Sequence, residues 1–312
     1  MHGATAATEG VIRTLASHLD RPLGLVDVGC RWGFADAWES LAGVVRLVGF
    51  DPDAGECAQL RDRYAGRSNV EVVARGLDAK AARRVVHLTA EPACSSFFPP
   101  DRTVIDHVAD LAVMRPVGNA EIETGTLDEW LQETDWGPAD YIKLDVQGAE
   151  ADVLLGSTRA LADTVVMEIE VEFNALYTGQ PLFADVDSLA RSRGFQLWRL
   201  SNLAHYVRDG APPHAPIADV HYCDSRPVHW DSPGGQLFWA HALYVADDVV
   251  ECTSLTWQRL LRAGCIAGAI GLHDLALHAW MGASRAAPEP SSSQVRTAIS
   301  DYRDASAEEI DL

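Results

Sequence analysis

An apolar stretch that ends in charged residues, at positions 140–150, constrains the fold of this chain more than any other. Its sequence is Asp-Tyr-Ile-Lys-Leu-Asp-Val-Gln-Gly-Ala-Glu, and its first part is apolar enough for a strand covered on both faces. Lys143 and Asp145 share one face of that strand, because side chains alternate along a strand. Open α/β sheets bind ligands outside the carboxyl ends of their strands, so we expect a functional site at this edge.

The order of strand and helix patterns predicts the fold class. Strand-length apolar stretches alternate with helical periodicity, which is typical of an α/β fold with a Rossmann-like, doubly wound and mostly parallel sheet. We expect an N-terminal helix over 1–22, the α/β domain over 23–248, a C-terminal helical extension over 249–285 and a flexible acidic tail over 286–312. Strands are predicted at 23–30, 44–50, 70–74, 83–88, 141–146, 164–173, 195–200 and 242–245, with long loops over 91–122 and 202–237.

A glycine-bearing turn follows the first predicted strand, in the segment Asp27-Val-Gly-Cys-Arg-Trp-Gly33. Gly29 and Gly33 allow a sharp turn and a close approach of the backbone to a ligand, and a helix N-terminus after such a turn attracts negative groups. The segment lacks the middle glycine of the dinucleotide fingerprint G-x-G-x-x-G, which disfavours a nicotinamide cofactor.

Acidic residues follow the second and third predicted strands. Asp51 is placed to accept hydrogen bonds from ribose hydroxyls, or alternatively to cap the helix that begins near Pro52. Together with the glycine turn, the first interpretation is favoured. After the third strand, Leu77 can pack on an adenine ring and Asp78 can accept its exocyclic amine, although Gly76-Leu-Asp is equally well a simple turn.

Carboxylates also alternate along a later strand, where Glu168, Glu170 and Glu172 share one face. If this strand neighbours the one that carries Lys143, a lysine and several carboxylates meet near the ligand-binding edge. Buried charges need partners, so we expect Lys143 to pair with Glu168 or Glu170. The alternative is an edge strand with a solvated acidic face.

Composition excludes several classes of function. The chain has 25 Lys and Arg residues and 45 Asp and Glu residues, so its net charge is 25 − 45 = −20. This charge disfavours a nucleic-acid partner, because phosphates need clustered basic residues. Six cysteines are scattered without a C-x-x-C pair, which disfavours a zinc site or disulfide framework. Neither a signal segment nor a membrane-spanning apolar run is present, so we expect a cytoplasmic protein without a membrane partner.

With these motifs in order, the sequence resembles the FkbM family of S-adenosylmethionine-dependent methyltransferases over about residues 23–200 and the strand at 242–246. The resemblance lies in Asp27-Val-Gly, Gly49-Phe-Asp-Pro, Ser95-Ser96, Thr126-Leu-Asp-Glu-Trp-Leu131, Lys143-Leu-Asp-Val-Gln-Gly-Ala-Glu150 and Glu168-Ile-Glu. Family members commonly carry Glu where this chain has Gln147. The resemblance implies a class I methyltransferase fold, S-adenosyl-L-methionine as cofactor, and O-methylation of a hydroxyl on a sugar, glycan or secondary metabolite.

Site residues are predicted accordingly. An alcohol is a poor nucleophile and needs a base or a metal ion. For His205, an ordinary surface histidine is the alternative to a catalytic one, and for Ser95 and Ser96 a plain turn is the alternative to a ligand contact. The candidate cofactor-binding residues are Asp27, Gly29, Arg31, Gly33, Asp51, Pro52, Gly76, Leu77, Asp78, Ser95, Ser96, Asp145 and Gln147, and the candidate catalytic residues are Lys143, Asp145, Glu170, Glu172 and His205.

Other readings of the chain remain open at this point. Asp145, Glu170 and Asn174 offer hard oxygen ligands for Mg²⁺, although the spacing does not demand a metal ion. A non-catalytic alternative makes the domain a cofactor-binding scaffold whose C-terminal helices bind a partner. We favour helices that close the pocket or form a homodimer.

Overall fold

The computed structural model describes residues 6–39, 41–209, 217–223, 226–232, 234–252 and 256–310. The α-helices are α1 (Ala6–Ala16), α2 (Asp36–Glu39), α3 (Ala54–Arg63), α4 (Arg102–Ile105), α5 (Leu127–Glu133), α6 (Glu150–Leu155), α7 (Ala160–Asp163), α8 (Phe183–Ser192), α9 (Asp247–Glu251), α10 (Trp257–Ala269), α11 (His273–Ala286) and α12 (Ser291–Ile310), and 3-10 turns lie at Pro92–Cys94 and Ala109–Met114. The strands are β1 (Leu23–Val28), β2 (Val45–Asp51), β3 (Val70–Ala74), β4 (Gly76–Leu77), β5 (Ala82–Thr89), β6 (Pro116–Gly125), β7 (Tyr141–Leu144), β8 (Val166–Glu172), β9 (Phe195–Tyr206), β10 (Ile217–Cys223), β11 (Arg226–Ser232) and β12 (Gln236–Ala246).

The central sheet has the order β3-β2-β1-β7-β8-β12-β9. In this sheet β3, β2, β1, β7 and β8 run parallel to one another, whereas β12 runs antiparallel to both β8 and β9. The chain leaves β1 toward β2 and β3, and later returns on the other side of β1 through β7 and β8. The direction of winding therefore reverses between β1 and β7, which is where a doubly wound sheet opens a ligand crevice. This order confirms the predicted fold class.

Two segments predicted as loops contain strands. In the segment 91–122, β6 begins at Pro116 and pairs with β4 and β5 in a small second sheet. The prediction missed β6 because most of its side chains are exposed, so it lacks an apolar run. In the segment 202–237, β9 continues to Tyr206, and β10 and β11 form an antiparallel hairpin.

The C-terminal helices form a bundle with the N-terminal helix, in which α10 packs against α11 and α1 packs against both α10 and α12. The predicted flexible tail over 286–312 is wrong in its main part, because α12 is a helix that buries Val295, Ala298, Ile299 and Tyr302. These positions follow helical spacing, a signal that the charged composition of the segment concealed. None of the helices in the described residues is long and apolar enough to cross a membrane.

An ion network fixes this bundle to the sheet. Asp140, just before β7, is fully buried and accepts bonds of 2.6 and 2.8 Å from the guanidinium group of Arg21. Arg262 of α10 lies 3.2 Å from the same carboxylate. A buried charge of this kind is stable only with such partners, so the bundle and the sheet are tied at this point.

The packing of α12 predicts a loss of stability when its main anchor is truncated. Tyr302 is fully buried, meets the Trp280 ring edge-on at 4.7 Å and lies 2.7 Å from His273 Nδ1. We expect Tyr302→Ala to lower the free energy of unfolding by roughly 3–5 kcal/mol, as for other large aromatic deletions. Urea unfolding measures this, with the exposed neighbour Asp301→Ala as the control. Equal stability of both variants would contradict the packing.

Candidate active site

A cavity of ≈ 620 Å³ lies along the carboxyl edge of the central sheet. One end is formed by the termini of β1, β2 and β4, and the other by residues of β8, β9 and β12. The predicted residues that line it are Gly29, Arg31, Asp51, Pro52, Gly76, Leu77, Ser95, Ser96, Asp145, Gln147 and Glu170. The predicted residues that do not line it are Asp27, Gly33, Asp78, Lys143, Glu172 and His205. No described residue after His241 lines the cavity, so the expectation that the C-terminal helices close the pocket is not met.

The turn after β1 approaches β7 too closely for a side chain. Gly29 has a φ of +90°, and a Cβ atom there would lie 1.9 Å from the carbonyl oxygen of Asp145. Gly33, at a φ of +86°, turns the chain behind the cavity instead of lining it. Arg31 lies at the cavity wall and holds Asp53 at 3.0 Å. Glycine is thus required at the first position for β1 and β7 to meet.

Asp51 stands at the end of β2, and one oxygen of its carboxylate is hydrogen-bonded to the backbone. Its Oδ1 accepts a bond of 2.8 Å from the backbone N–H of Asp53. The cap of α3 is Asp53, which accepts from the N–H groups of Gly55 and Glu56, so the alternative reading of Asp51 as a cap is wrong. Burial raises the pKa of Asp51.

The third strand end presents Gly76 and Leu77 to the cavity, but Asp78 turns inward. Asp78 is buried, and each of its carboxylate oxygens has a partner: Oδ2 lies 2.7 Å from Arg84, and Oδ1 accepts from the N–H of Ala79. The predicted contact of Asp78 with an adenine amine is therefore not supported. Apolar residues from the small sheet complete this end of the cavity and were not predicted: Val86, Leu88, Ala120 and Ile122.

Lys143 forms ion pairs with Asp145 and Asp27, and not with a carboxylate of β8. Its ammonium lies 3.2 Å from Asp145 and 3.6 Å from Asp27, so the predicted pairing with Glu168 or Glu170 is wrong. Strands β7 and β8 are neighbours as predicted, with Lys143 beside Glu168 in register. Glu168 is instead occupied by the Tyr141 hydroxyl at 2.6 Å and by His241 at 2.7 Å. Burial raises the pKa of Asp27 to about 6, against the pull of Lys143.

Asp145 and Glu170 form an acid pair joined by Gln147. The Gln147 amide nitrogen donates to Asp145 Oδ1 at 3.0 Å and to Glu170 Oε2 at 2.8 Å. Burial and the charge of Asp145 raise the pKa of Glu170 well above its usual range. Burial opposes ionisation of Asp145 too, but Lys143 and the hydrogen bonds from Glu170 and Gln147 lower its pKa overall. Of the two carboxyl groups, Glu170 is therefore the one that binds a proton more tightly.

His241 is the functional candidate that the sequence interpretation missed. It lines the cavity from β12, opposite Glu170 in register. Its Nδ1 lies 2.7 Å from Glu168 Oε1, and hydrogen bonds from His241 and Tyr141 outweigh burial and lower the pKa of Glu168. The ionised carboxylate accepts a hydrogen bond from the Nδ1–H group, so Nε2 is the nitrogen that lacks a proton and is left for the cavity. The predicted strand at 242–245 began one residue too late to include this histidine.

Asp145, Glu170 and His241 each offer one ligand atom, and the three atoms lie within 4.8 Å of one another. The set predicted for Mg²⁺ differs, because Asn174 does not line the cavity, and its amide nitrogen donates to the carbonyl oxygen of Leu237 at 2.6 Å. The imidazole in this set favours a transition-metal ion over Mg²⁺, and its carboxylates are ligands that Mn²⁺ also accepts.

The remaining candidates have mainly structural contacts. Ser96 donates its hydroxyl to the carbonyl oxygen of Gln147 at 2.6 Å, which fixes the loop after β5 to the end of β7, and Ser95 lies 3.3 Å from the N–H of Thr89. Burial and the charge of Glu150 raise the pKa of Glu172 well above its usual range. On β9, the cavity is lined by Tyr206 and not by its neighbour His205.

A family model described as the methyltransferase FkbM domain matches residues 31–197. The chain is 28% identical over 185 residues to 2-O-methyltransferase NoeI of Sinorhizobium fredii (strain NBRC 101917 / NGR234), covering 57% of this chain and 76% of that protein. Magnesium protoporphyrin IX methyltransferase (ChlM) from Synechocystis PCC 6803 has a TM-score of 0.34 at 12% identity, over 77% of this chain and 80% of that one. Precorrin-6y C5,15-methyltransferase from Geobacter metallireducens GS-15 has a TM-score of 0.35 at 9% identity, over 78% and 91%. Such TM-scores are low, so the fold assignment rests on the sheet order.

The raised pKa of Asp27 predicts a pH-dependent stability difference. Its carboxyl binds a proton more tightly in the folded than in the unfolded chain, so this group makes the protein less stable as pH rises from about 4 to about 6, above which the loss is complete. Between about pH 4.5 and about pH 7.5, we expect Asp27→Asn to gain about 2 kcal/mol of unfolding free energy relative to the natural chain. Urea unfolding at both pH values measures the change. The exposed Asp62→Asn serves as control, and a pH-independent difference for Asp27→Asn would contradict the burial.

Proposed function

Because this chain belongs to the FkbM family of methyltransferases, we propose that it transfers the methyl group of S-adenosyl-L-methionine to a hydroxyl oxygen of a sugar, glycan or secondary metabolite. Methyl transfer from that cofactor follows from the family. The hydroxyl acceptor, the placement of the cofactor and the roles of single residues are the proposal. The observation that carries it is the His241–Glu168 pair at the acceptor end of the cavity.

The strand order supports an extended placement of the cofactor along the cavity. Asp51, at the end of β2, would bind the ribose hydroxyls with its unengaged oxygen. The adenine would lie between Pro52 and Leu77, against the apolar wall supplied by the small sheet. The methionyl end would then pass Gly29, and the sulfonium charge would face the ionised Asp145.

The opposite end of the cavity has the groups that an alcohol acceptor requires. A sulfonium methyl is already activated, but a neutral hydroxyl attacks it well only if its proton is removed during the transfer. His241 Nε2 would take that proton as the new O–C bond forms and the C–S bond breaks, releasing neutral S-adenosylhomocysteine. Glu168, held by Tyr141, would stabilise the protonated imidazole. Amine acceptors carry their own basic nitrogen, which makes this arrangement most useful for a hydroxyl.

The wall beside His241 supports an acceptor with a flat or ring-shaped body. Tyr206 and Trp239 line the cavity there, and the Trp239 indole nitrogen donates to the Tyr206 hydroxyl at 3.1 Å. Aromatic faces of this kind pack well against sugar rings and other amphipathic groups. The similar protein NoeI is described as a 2-O-methyltransferase, which agrees with a hydroxyl acceptor.

Competing readings have less support. The scaffold alternative leaves the Glu168-oriented His241 without a purpose. Mg²⁺ at the predicted ligands is not part of the proposal, since Asn174 does not line the cavity. A homodimer, a cytoplasmic location and the lack of a nucleic-acid partner stay predictions.

The cofactor placement predicts a loss of affinity on removal of the Asp51 carboxylate. We expect Asp51→Ala to weaken binding of S-adenosylmethionine and S-adenosylhomocysteine about 10- to 100-fold, because two charge-assisted hydrogen bonds to ribose are lost. Calorimetric titration measures both ligands. Asp62→Ala, an exposed change on α3, should bind as the natural chain does. Unchanged affinity in Asp51→Ala would refute the ribose contact.

The base assignment predicts a loss of turnover without a loss of cofactor binding. His241→Asn keeps a donor for Glu168 but has no proton acceptor in place of Nε2, so we expect kcat to fall about 10²- to 10⁴-fold. Affinity for S-adenosylhomocysteine should change little. Transfer of a labelled methyl group to a panel of glycosides with free hydroxyls measures the rate, alongside His205→Asn as the control outside the cavity lining. Full turnover of His241→Asn would rule out this histidine as the base.

A further inference from the structure

Gln147 uses both ends of its side-chain amide inside the cavity. The nitrogen bridges Asp145 and Glu170, and the oxygen lies 2.8 Å from the Tyr177 hydroxyl. That hydroxyl is equally close to the carbonyl oxygen of Cys94, so its single proton is shared between the two acceptors. The backbone carbonyl of Gln147 is bound as well, by Ser96. The residue is therefore held from the loop after β5, from β8 and from the segment after β8.

The backbone of Gln147 has a left-handed conformation that residues with a side chain rarely adopt. Its φ is +57°, in the left-handed region, and the next residue is Gly148 at +96°. A non-glycine residue in this region costs of order 1–2 kcal/mol and persists only where the surroundings fix it. Glycine would serve the backbone better at position 147, so the presence of glutamine points to a use for its side chain.

The position of the amide nitrogen explains how two carboxyl groups remain close together in a buried site. Asp145, Glu170 and His241 converge as a metal site would, but the two N–H groups of Gln147 already point at the two carboxyl groups. A cation bound between these groups would have to displace the amide. Hydrogen bonds from a neutral donor thus do what a cation otherwise does for paired carboxylates.

We propose that Gln147 is a positioning residue, whose amide holds Asp145 on the cofactor side and Glu170 on the acceptor side at a fixed spacing without a metal ion. This inference rests on the proposed function, which assigns Asp145 to the cofactor side and Glu170 to the acceptor side. The amide aligns the sulfonium-facing carboxylate with the carboxyl group beside His241, and so keeps donor and acceptor in line. Displacement of either reactant by even about 1 Å can cost about 100-fold in rate.

A carboxylate at position 147 would have the opposite effect. Gln147→Glu removes the bridging donor and adds a third carboxyl group at hydrogen-bonding distance from the acid pair. Three carboxylates and an imidazole then form a donor set suited to a divalent transition-metal ion, particularly Mn²⁺. A single change of N–H donor to oxygen should therefore turn a metal-free cluster into a metal-binding one.

The test compares Gln147→Ala, Gln147→Gly and Gln147→Glu with the natural chain, using the exposed Gln132→Ala as control. We expect the alanine and glycine variants to lose about 10- to 100-fold in kcat, with KM for S-adenosylmethionine little changed. The glycine variant should be the more stable of the two because it relieves the left-handed backbone. Equal loss of kcat in both variants assigns the effect to the side chain and not to folding.

Gln147→Glu supplies readouts that a purely structural role would not change. Calorimetry without substrates should detect Mn²⁺ binding to this variant and not to the natural chain. In the presence of a metal chelator, turnover by Gln147→Glu should be low, and added Mn²⁺ should restore part of that turnover. The acid limb of its pH–rate profile should move to higher pH, because an added negative charge favours nearby protonated forms.

Three results would overturn the inference. One is natural kcat and pH dependence in both Gln147→Ala and Gln147→Gly. Another is a natural chain that binds Mn²⁺ at this cluster, or that loses turnover in chelator and regains it with Mn²⁺. The third is a Gln147→Glu variant that binds no Mn²⁺. Failure of the proposed function is separate: the natural chain would then methylate no hydroxyl acceptor, while the Mn²⁺ calorimetry would still decide the inference.

Discussion

The close approach of β1 and β7 at their carboxyl ends determines the geometry of the whole site. The backbone N–H of Asp145 donates to the carbonyl oxygen of Val28, and Gly29 leaves the space that this contact needs. The same approach brings Lys143 beside Asp27 and directs Asp145 into the cavity. Since the winding of the sheet reverses at this junction, the ligand crevice and the charged groups coincide by construction.

The acidic groups around that junction are tolerated because each has a compensating partner. Lys143 compensates Asp27 and Asp145, His241 and Tyr141 serve Glu168, and Gln147 bridges the remaining pair. Most of these partners lie on neighbouring strands of one sheet face. The arrangement therefore depends on register, and a shift of one residue in β7 or β8 would turn the polar set to the opposite face.

Strand-end chemistry could be predicted from the sequence, whereas side-chain partners could not. Gly29, Asp51 and Leu77 were found because their positions follow from strand order and residue type. The partner of Lys143 depends on which carboxylates other groups already occupy, and Asp78 turned inward to Arg84 for the same kind of reason. His241 was missed because the predicted strand began at 242, whereas β12 begins at Gln236. The helix α12 was missed because the segment was judged on composition, although its apolar residues have helical spacing.

The row formed by Asp145, Glu170 and His241 has a consequence for the release of products. In the proposed reaction, the positive charge on the sulfonium disappears beside Asp145 while a proton arrives on His241. Positive charge is thus carried across the width of two strand spacings, and the net charge of the enclosed site does not change until that proton leaves. In the proposed reaction, departure of the methylated acceptor would open His241 to water, which would couple emptying of the acceptor end to resetting of the base.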